Sequence, residues 1–154
     1  VQVDFAMPKR FGLFYIDKNG EKRTPVMVHR AVLGSYERFL VLLLEQFKGV
    51  LPIWLSPVQV NIVPVNMKYH DEYCRKLKDL LIDEDIRVNY DDSDESMGKK
   101  IRNSNVMKNP YVLIIGDKER DNNLVSYRKY GGEETYSMNV EEFIKFIKEE
   151  IKKR

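Results

Sequence analysis

The sequence predicts an α/β fold: a three-layer domain around a mixed, largely parallel sheet, preceded by antiparallel strands and one helix. Two observations lead to this expectation. Strand-like and helix-like segments alternate after residue 57 in the order β-α-β-α-β-β-α, which is typical of layered α/β domains. The run YVLIIG over residues 111–116 is apolar throughout, as expected for a central strand that is buried on both faces.

The first part of the chain predicts antiparallel strands followed by a helix. Residues 12–16 and 25–32 read as strands on either side of Asn19-Gly20, a strong hairpin signal. Gly34 and Ser35 interrupt the second strand, and Ser35 is suited to be the N-cap of a helix that starts at Tyr36. Because this helix is apolar on nearly all sides until Lys48-Gly49, we expect it to be deeply buried.

A domain boundary is predicted in the stretch VLPIWLSP, residues 50–57, because its two prolines interrupt the regular patterns on both sides. We therefore divide the chain into residues 1–52 and residues 53–154. The chain opens at Val1 in the middle of an alternating strand pattern and without a methionine. This opening indicates a piece of a longer protein.

The sequence of the second domain clearly indicates where its strands and helices lie. Strands are predicted at residues 58–65, 86–90, 111–116 and 124–130, and helices at 69–81, 97–108 and from 140 onward. Asn139 and Glu142 resemble a capping box at the start of the last helix. The connection between residues 116 and 124 is short and polar, so it predicts one antiparallel pair in the sheet.

Composition excludes several classes of protein. The formal net charge is only +2, so any nucleic-acid surface must come from local basic patches. Cys74 is the single cysteine, which rules out an internal disulfide and favours a reducing compartment. The longest apolar run, residues 39–44, is far too short to span a bilayer, and no secretory signal is visible, so we expect no membrane partner.

A family resemblance appears at PVMVHRAVLGSYERF, residues 25–39, which resembles the third signature motif of class II aminoacyl-tRNA synthetases. The flanking segments VQVDFAMPKRFGLFY, WLSPVQVNIVPV, MGKKIR and IGDKE resemble threonyl-tRNA synthetases in particular. These motifs follow the family's order across nearly the whole chain. The resemblance implies a remnant of an antiparallel class II catalytic domain followed by an anticodon-binding domain.

The resemblance also implies the activity of the longer protein, which is a threonine–tRNA ligase. That protein would be a cytoplasmic homodimer that uses ATP, Mg²⁺ and Zn²⁺ to activate threonine and charge tRNA(Thr). The first two class II motifs lie outside this chain. We therefore expect the chain alone to be inactive, to bind no cofactor and to be a monomer.

Five residues of the first domain match catalytic positions of that family. Arg38, with Gly34 and Ser35, would form an edge of the ATP site, because a guanidinium can stack on adenine and neutralise phosphate. Gln2 matches a substrate-pocket position, and His29 matches one of three zinc ligands whose partners lie upstream. From the residues alone, a solvated ion pair is the favoured interpretation of Glu37 and Arg38, and a hydrogen-bonded core histidine is the favoured interpretation of His29.

In the second domain, Glu119 and Arg128 match anticodon-contact positions, and Asp94 replaces an asparagine that touches an anticodon base. Lys118 belongs to a basic cluster with Arg120, Arg128 and Lys129, and this cluster is expected to bind the tRNA(Thr) anticodon loop together with Tyr127 and Tyr130. The alternative for Glu119 and Arg128 is a surface salt bridge. A second cluster holds Lys99, Lys100 and Arg102.

Other interpretations stay open at this point. His70 and Cys74 have the i, i+4 spacing of a metal site but lack further ligands nearby. The acidic run DDSDES, residues 91–96, could suggest a calcium site. It is more simply explained by the favourable interaction of carboxylates with the dipole of the helix that follows. The chain could be a non-catalytic RNA- or protein-binding module, or belong to a class II synthetase for proline, histidine or glycine, although HRA and SPVQV argue against the latter.

Overall fold

The structure is a computed structural model that describes residues 1–153, and it divides the chain into two compact units, Val1–Leu42 and the remainder from Leu43. The first unit contains α1 (Met7–Arg10) and two small antiparallel sheets. β1 (Gln2–Asp4) pairs with β4 (Met27–His29), and β2 (Tyr15–Ile16) pairs with β3 (Lys22–Arg23).

The hairpin at Asn19-Gly20 forms, but its second strand is β3, so the predicted pairing with residues 25–32 was wrong. The reason is a tight turn at Asp17. Its Oδ1 accepts hydrogen bonds from the backbone N–H of Asn19 at 2.8 Å and of Glu21 at 3.0 Å, and these bonds lower the pKa of Asp17. Gly20 has a φ of +80°, which glycine adopts without strain. The chain therefore turns back at once.

Helix α2 (Tyr36–Gln46) begins where predicted, and the Ser35 Oγ accepts a hydrogen bond from the N–H of Arg38 at 3.4 Å. The prediction that this helix is deeply buried was wrong, because none of its residues is buried. Leu40 and Val41 are more than half exposed. An apolar helix buries its side chains only against a partner surface, and the strands of the first unit are two or three residues long.

The second unit contains a five-stranded mixed sheet in the order β6-β5-β7-β8-β9. The strands are β5 (Val60–Pro64), β6 (Val88–Tyr90), β7 (Tyr111–Ile115), β8 (Leu124–Lys129) and β9 (Tyr136–Asn139). β5 pairs in parallel with β6 and β7, whereas β8 pairs antiparallel with β7 and β9. The mixed sheet is confirmed, and β9 adds a second antiparallel pair that the sequence did not predict.

Helices cover the sheet on both faces. They are α3 (Met67–Asp83), α4 (Met97–Val106), α5 (Asp117–Asn122) and α6 (Val140–Lys152). The chain runs from β5 through α3 to β6, and then back across β5 through α4 to β7. Because such crossovers are right-handed, α3 and α4 lie on opposite faces of the sheet. Among residues 1–153, no helix combines the length and apolarity needed to cross a bilayer.

The main hydrophobic core lies between one face of the sheet and helices α3 and α6. Alternate strand residues face it, as the period of a strand requires, and Leu113 and Ile115 of β7 are completely buried. Phe143 and Ile147 of α6 are completely buried as well, one helical turn apart. The Asn139 side chain caps α6 by accepting a hydrogen bond from the Glu141 N–H at 3.0 Å.

The proline-containing stretch that precedes β5 is fixed to the sheet by two side chains. Arg87 donates from Nε to the Ser56 carbonyl at 2.9 Å and from an Nη to the Trp54 carbonyl at 2.8 Å. Gln59 is completely buried, donates to the Ile53 carbonyl at 3.0 Å and accepts from the Arg87 N–H at 2.9 Å. Residues 53–59 are therefore an ordered lead-in to β5.

We predict that Phe143→Ala lowers the free energy of unfolding by about 3–5 kcal/mol, because a buried aromatic ring leaves a cavity in the core. Urea unfolding followed by the fluorescence of Trp54, the single tryptophan, measures this. The matched control is Phe11→Ala, whose ring is 62% exposed and whose effect should stay within about 0.5 kcal/mol. Equal losses in both variants would contradict the assignment of the core.

Hydrogen exchange should be much slower for the amides of residues 111–115 than for those of residues 1–33. Strand β7 is bonded on both sides within a buried sheet, whereas the short strands of the first unit are largely exposed. Exchange followed by mass spectrometry decides this. Stronger protection before Leu33 than in β7 would show that the first unit holds the more stable structure.

Candidate nucleic-acid interface

The carboxyl edge of the parallel strands is the natural place for a ligand in the second unit. The chain leaves β5 towards α3 on one face of the sheet and leaves β6 towards α4 on the other, so the loops after these two strands diverge and open a crevice there. A cavity of about 330 Å³ lies at this edge, lined by residues 64–68 together with Asp94, Glu95 and Lys100. Backbone and charged groups at this edge can therefore approach a polar ligand.

Glu119 lies next to this edge on α5, a helix that the sequence did not predict in the connection after β7. Its Oε2 accepts a hydrogen bond from the Gly116 N–H at 3.0 Å, which closes a capping arrangement at the helix start. Its Oε1 accepts from the Ser126 hydroxyl of β8 at 2.7 Å. The side chain is 9% exposed, so the carboxylate is held in one orientation.

Arg128 lies on the same face of β8 as Ser126, two residues further along the strand. The side chain is partly exposed, and its Nε donates to the Thr135 hydroxyl at 2.7 Å. Among the ion pairs of residues 1–153, none joins Arg128 to Glu119, so the surface salt bridge considered for these residues is not formed. Its guanidinium therefore retains donors for a ligand.

This part of the sheet face is open to a ligand. Ser137 of β9 lies beside Ser126 in the antiparallel register and is exposed. Helix α4 contacts β5 on this side of the sheet, whereas Ser126 and Arg128 stay partly exposed. A planar group could therefore lie against β8 between Glu119 and Arg128.

Asp94 is exposed in the loop between β6 and α4 and lines the cavity at the carboxyl edge. The loop is fixed by Lys100, which is 1% exposed and donates from Nζ to the Asp91 carbonyl at 3.0 Å. Asp91 in turn accepts from the hydroxyl and N–H of Ser93 through Oδ1. Lys100 therefore supports the loop, and the prediction that it forms a basic surface cluster with Lys99 and Arg102 was wrong.

The other basic cluster is also revised. Lys118 is exposed on α5 beside Glu119, as a phosphate-binding residue requires. Tyr127, however, is 7% exposed and packs against Phe143 and Tyr136 with ring centroids 5.4 Å and 5.6 Å apart. It faces the core because it alternates with Ser126 and Arg128. The expectation that Tyr127 stacks on RNA was therefore wrong.

In the first unit, the structure brings Gln2 and His29 together as cross-strand neighbours. His29 Nε2 lies 3.2 Å from Asp4 Oδ2, and Asp4 has a lowered pKa because it accepts hydrogen bonds from the N–H groups of Met7 and Ala6. Among residues 1–153, no three metal-ligating side chains lie together. Since a zinc ion in a protein takes at least three protein ligands, the residues described do not fit a zinc site.

Gly34, Ser35 and Arg38 lie together at the start of α2, and all three are exposed. A shallow depression beside them is lined only by Glu37, Arg38, Val41 and Leu42, which belong to one helix. Residues of a single helix line this depression and do not enclose a ligand. A hydrogen bond between the Ser35 and Glu37 side chains lowers the pKa of the Glu37 carboxyl.

The His70 and Cys74 pair does not form a metal site in the part of the chain that the structure describes. Cys74 is completely buried in the core, and burial raises the pKa of its thiol to about 12. His70 is 2% exposed and makes hydrogen bonds through both ring nitrogens, to Asn66 and to Asp117. The sequence could not reveal the second contact, because Asp117 lies 47 residues further along.

Comparison with known proteins agrees with this geometry. Residues 59–150 match the family model described as the anticodon binding domain. The threonine–tRNA ligase of Lactobacillus acidophilus is 46% identical over 152 residues, which cover 99% of this chain and 24% of that protein. The threonine–tRNA ligase of Staphylococcus carnosus is 46% identical over 98% of this chain and 23% of its own length. The chain thus spans about a quarter of these curated relatives.

A solved structure is similar as well. The crystal structure of the RNA binding domain of threonyl-tRNA synthetase from Cryptosporidium parvum superposes with a TM-score of 0.75 at 34% identity, covering 96% of this chain and 38% of that one. The family match contains every residue of the open face and of the cavity at the carboxyl edge. The chain belongs to the anticodon-binding domain family, in the form that threonyl-tRNA synthetases carry.

Proposed function

We propose that this chain is the C-terminal part of a threonine–tRNA ligase and that its second unit binds the anticodon loop of tRNA(Thr). The observation that carries the proposal is the similarity to threonine–tRNA ligases over 98–99% of the chain, with the anticodon-binding match at residues 59–150. The longer protein would activate threonine with ATP and Mg²⁺ and then charge the tRNA.

The pair Glu119 and Arg128 is suited to read the guanine at the second position of threonine anticodons. Guanine offers O6 and N7 as acceptors to a bidentate arginine, and its N1–H and amino group can donate to a carboxylate. Ser126, which touches Glu119, stands about 7 Å from Arg128 along the same face of β8. An unstacked base can fit between the two side chains.

The existing hydrogen bonds of Glu119 do not prevent such a contact. Each carboxylate oxygen carries two acceptor sites, and the Gly116 N–H and the Ser126 hydroxyl occupy one on each oxygen. These bonds also fix the carboxylate before the RNA arrives. Preorganisation of this kind lowers the entropy cost of binding.

The uracil that follows this guanine in the anticodon would bind in the cavity at the carboxyl edge. Asp94 is exposed at its wall, and a carboxylate can accept the imino proton of uracil. Lys68 at the cavity and the exposed Lys118 on α5 would supply positive charge for the phosphates. Local basic side chains would thus bind the RNA, although the net charge of the whole chain is only +2.

The first unit would supply an edge of the catalytic site in the longer protein. There, Arg38 would stack on the adenine of ATP beside Gly34 and Ser35, and Gln2 would face the threonine pocket. His29 can contribute only one zinc ligand, and the residues described do not complete the site. Catalysis therefore depends on residues outside this chain.

Arg128→Ala should weaken binding of a tRNA(Thr) anticodon stem-loop by about 1–3 kcal/mol and relax the preference for guanine over adenine at the second position. Fluorescence anisotropy with the two stem-loops measures both effects. Lys118→Ala is the matched control, which should weaken both RNAs alike and reduce the salt dependence of binding. An unchanged guanine preference in Arg128→Ala would refute the role of this arginine in base recognition.

The purified chain should not catalyse threonine-dependent ATP–pyrophosphate exchange. The exposed residues at the start of α2 do not enclose a nucleotide, and positioning of the reactants supplies much of the rate of such a reaction. The longer protein is the positive control in the same assay. Measurable exchange by the 154-residue chain would overturn the assignment of catalysis to residues outside it.

A further inference from the structure

A buried histidine joins the two loops at the carboxyl edge of the sheet. His70, in the first turn of α3, accepts a hydrogen bond on Nδ1 from the Asn66 N–H at 3.1 Å. Its Nε2 lies 3.2 Å from Asp117 Oδ1. Asn66 ends the loop after β5, and Asp117 begins α5 after β7. His70 therefore contacts both loops that border the candidate interface.

The hydrogen bonds determine the tautomer of His70. A backbone N–H can only donate, so Nδ1 must be the unprotonated nitrogen and Nε2 carries the proton. Nε2–H then donates to the Asp117 carboxylate. Both ring nitrogens of His70 are thus hydrogen-bonded to protein groups, and the side chain is buried.

Helix α5 needs such contacts to hold its orientation. It has six residues, and a helix of this length has little stability of its own in water. Its first turn is tied to α3 by His70 and by Arg120, which donates to the Tyr69 carbonyl at 3.3 Å and pairs with Asp117 at 3.2 Å. The Arg120 side chain is 35% exposed and that of His70 only 3%, whereas their shared acceptor, Asp117, is 74% exposed, so His70 is the buried member of this cluster.

Glu119 lies two residues after Asp117 on this helix, so the contact at Asp117 affects the position of the Glu119 carboxylate. We propose that His70 is a positioning residue for base recognition, which holds α5 through Nε2–H and Asp117 so that Glu119 faces the open side of β8. This inference rests on the proposed function, since Glu119 is the residue that would contact the anticodon guanine.

Two substitutions separate this role from a general contribution to folding. In His70→Gln, the side-chain amide nitrogen stands where Nε2 stood and can still donate to Asp117. In His70→Asn, the shorter amide can replace only Nδ1, so the bond to Asp117 is lost. The matched control is Tyr73→Phe, one turn further along α3, which removes the hydrogen bond from the Tyr73 hydroxyl to the Leu124 carbonyl.

The first measurement is amide hydrogen exchange by NMR in the 154-residue chain without RNA. The Gly116 N–H donates to Glu119, so its exchange reports on the position of the carboxylate. His70→Asn should accelerate Gly116 exchange by about fivefold, and His70→Gln by less than about twofold. The Leu113 amide of β7 should be unchanged in both, which excludes global destabilisation.

The second measurement is the preference for guanine over adenine at the second position of the stem-loop. It should fall about fivefold in His70→Asn, remain within about twofold in His70→Gln and be unchanged in Tyr73→Phe. Equal behaviour of the Asn and Gln variants, or an unchanged Gly116 amide in His70→Asn, would overturn the positioning role. Absence of any guanine preference in the unmodified chain would instead overturn the proposed function.

Discussion

The parallel pairing of β5 with β7 is the constraint on which the rest of the second unit depends. All five residues of β5 are buried, and their partners run in register from Tyr111 to Ile115. Since α3 follows β5 on one face of the sheet and α4 follows β6 on the other, the loops at the carboxyl ends of β5 and β6 diverge. The cavity and the loop with Asp94 lie at this divergence, and the start of α5 follows β7 at the same edge of the sheet.

The opposite direction of β8 adds the second requirement for a binding face. It places Ser126 and Arg128 beside β7 on the face away from the α3 and α6 core, while Val125 and Tyr127 fill that core. One strand therefore supplies both aromatic packing and polar contacts, at alternate positions. Because the aromatic and basic side chains of β8 face opposite sides of the sheet, they do not combine into one RNA-binding surface.

The sequence predicted the strands and helices whose apolar residues follow a clear pattern. Strand β7 is a continuous apolar run, and α6 has apolar residues at helical spacing after an asparagine cap. Helix α5 was missed because six residues are too few to show a helical period, although Gly116 followed by acidic residues is a usable start signal. The burial of Lys100 was missed because its partner is a backbone carbonyl, which no residue pattern reveals.

The burial of Cys74 has a practical consequence for experiments on this protein. A thiol with a raised pKa inside the core is almost entirely neutral at pH 7, and only the thiolate reacts quickly with alkylating reagents. Modification therefore requires the second unit to open. Because Cys74 is the single cysteine, the rate of its labelling reports the opening of one known site, without an engineered probe.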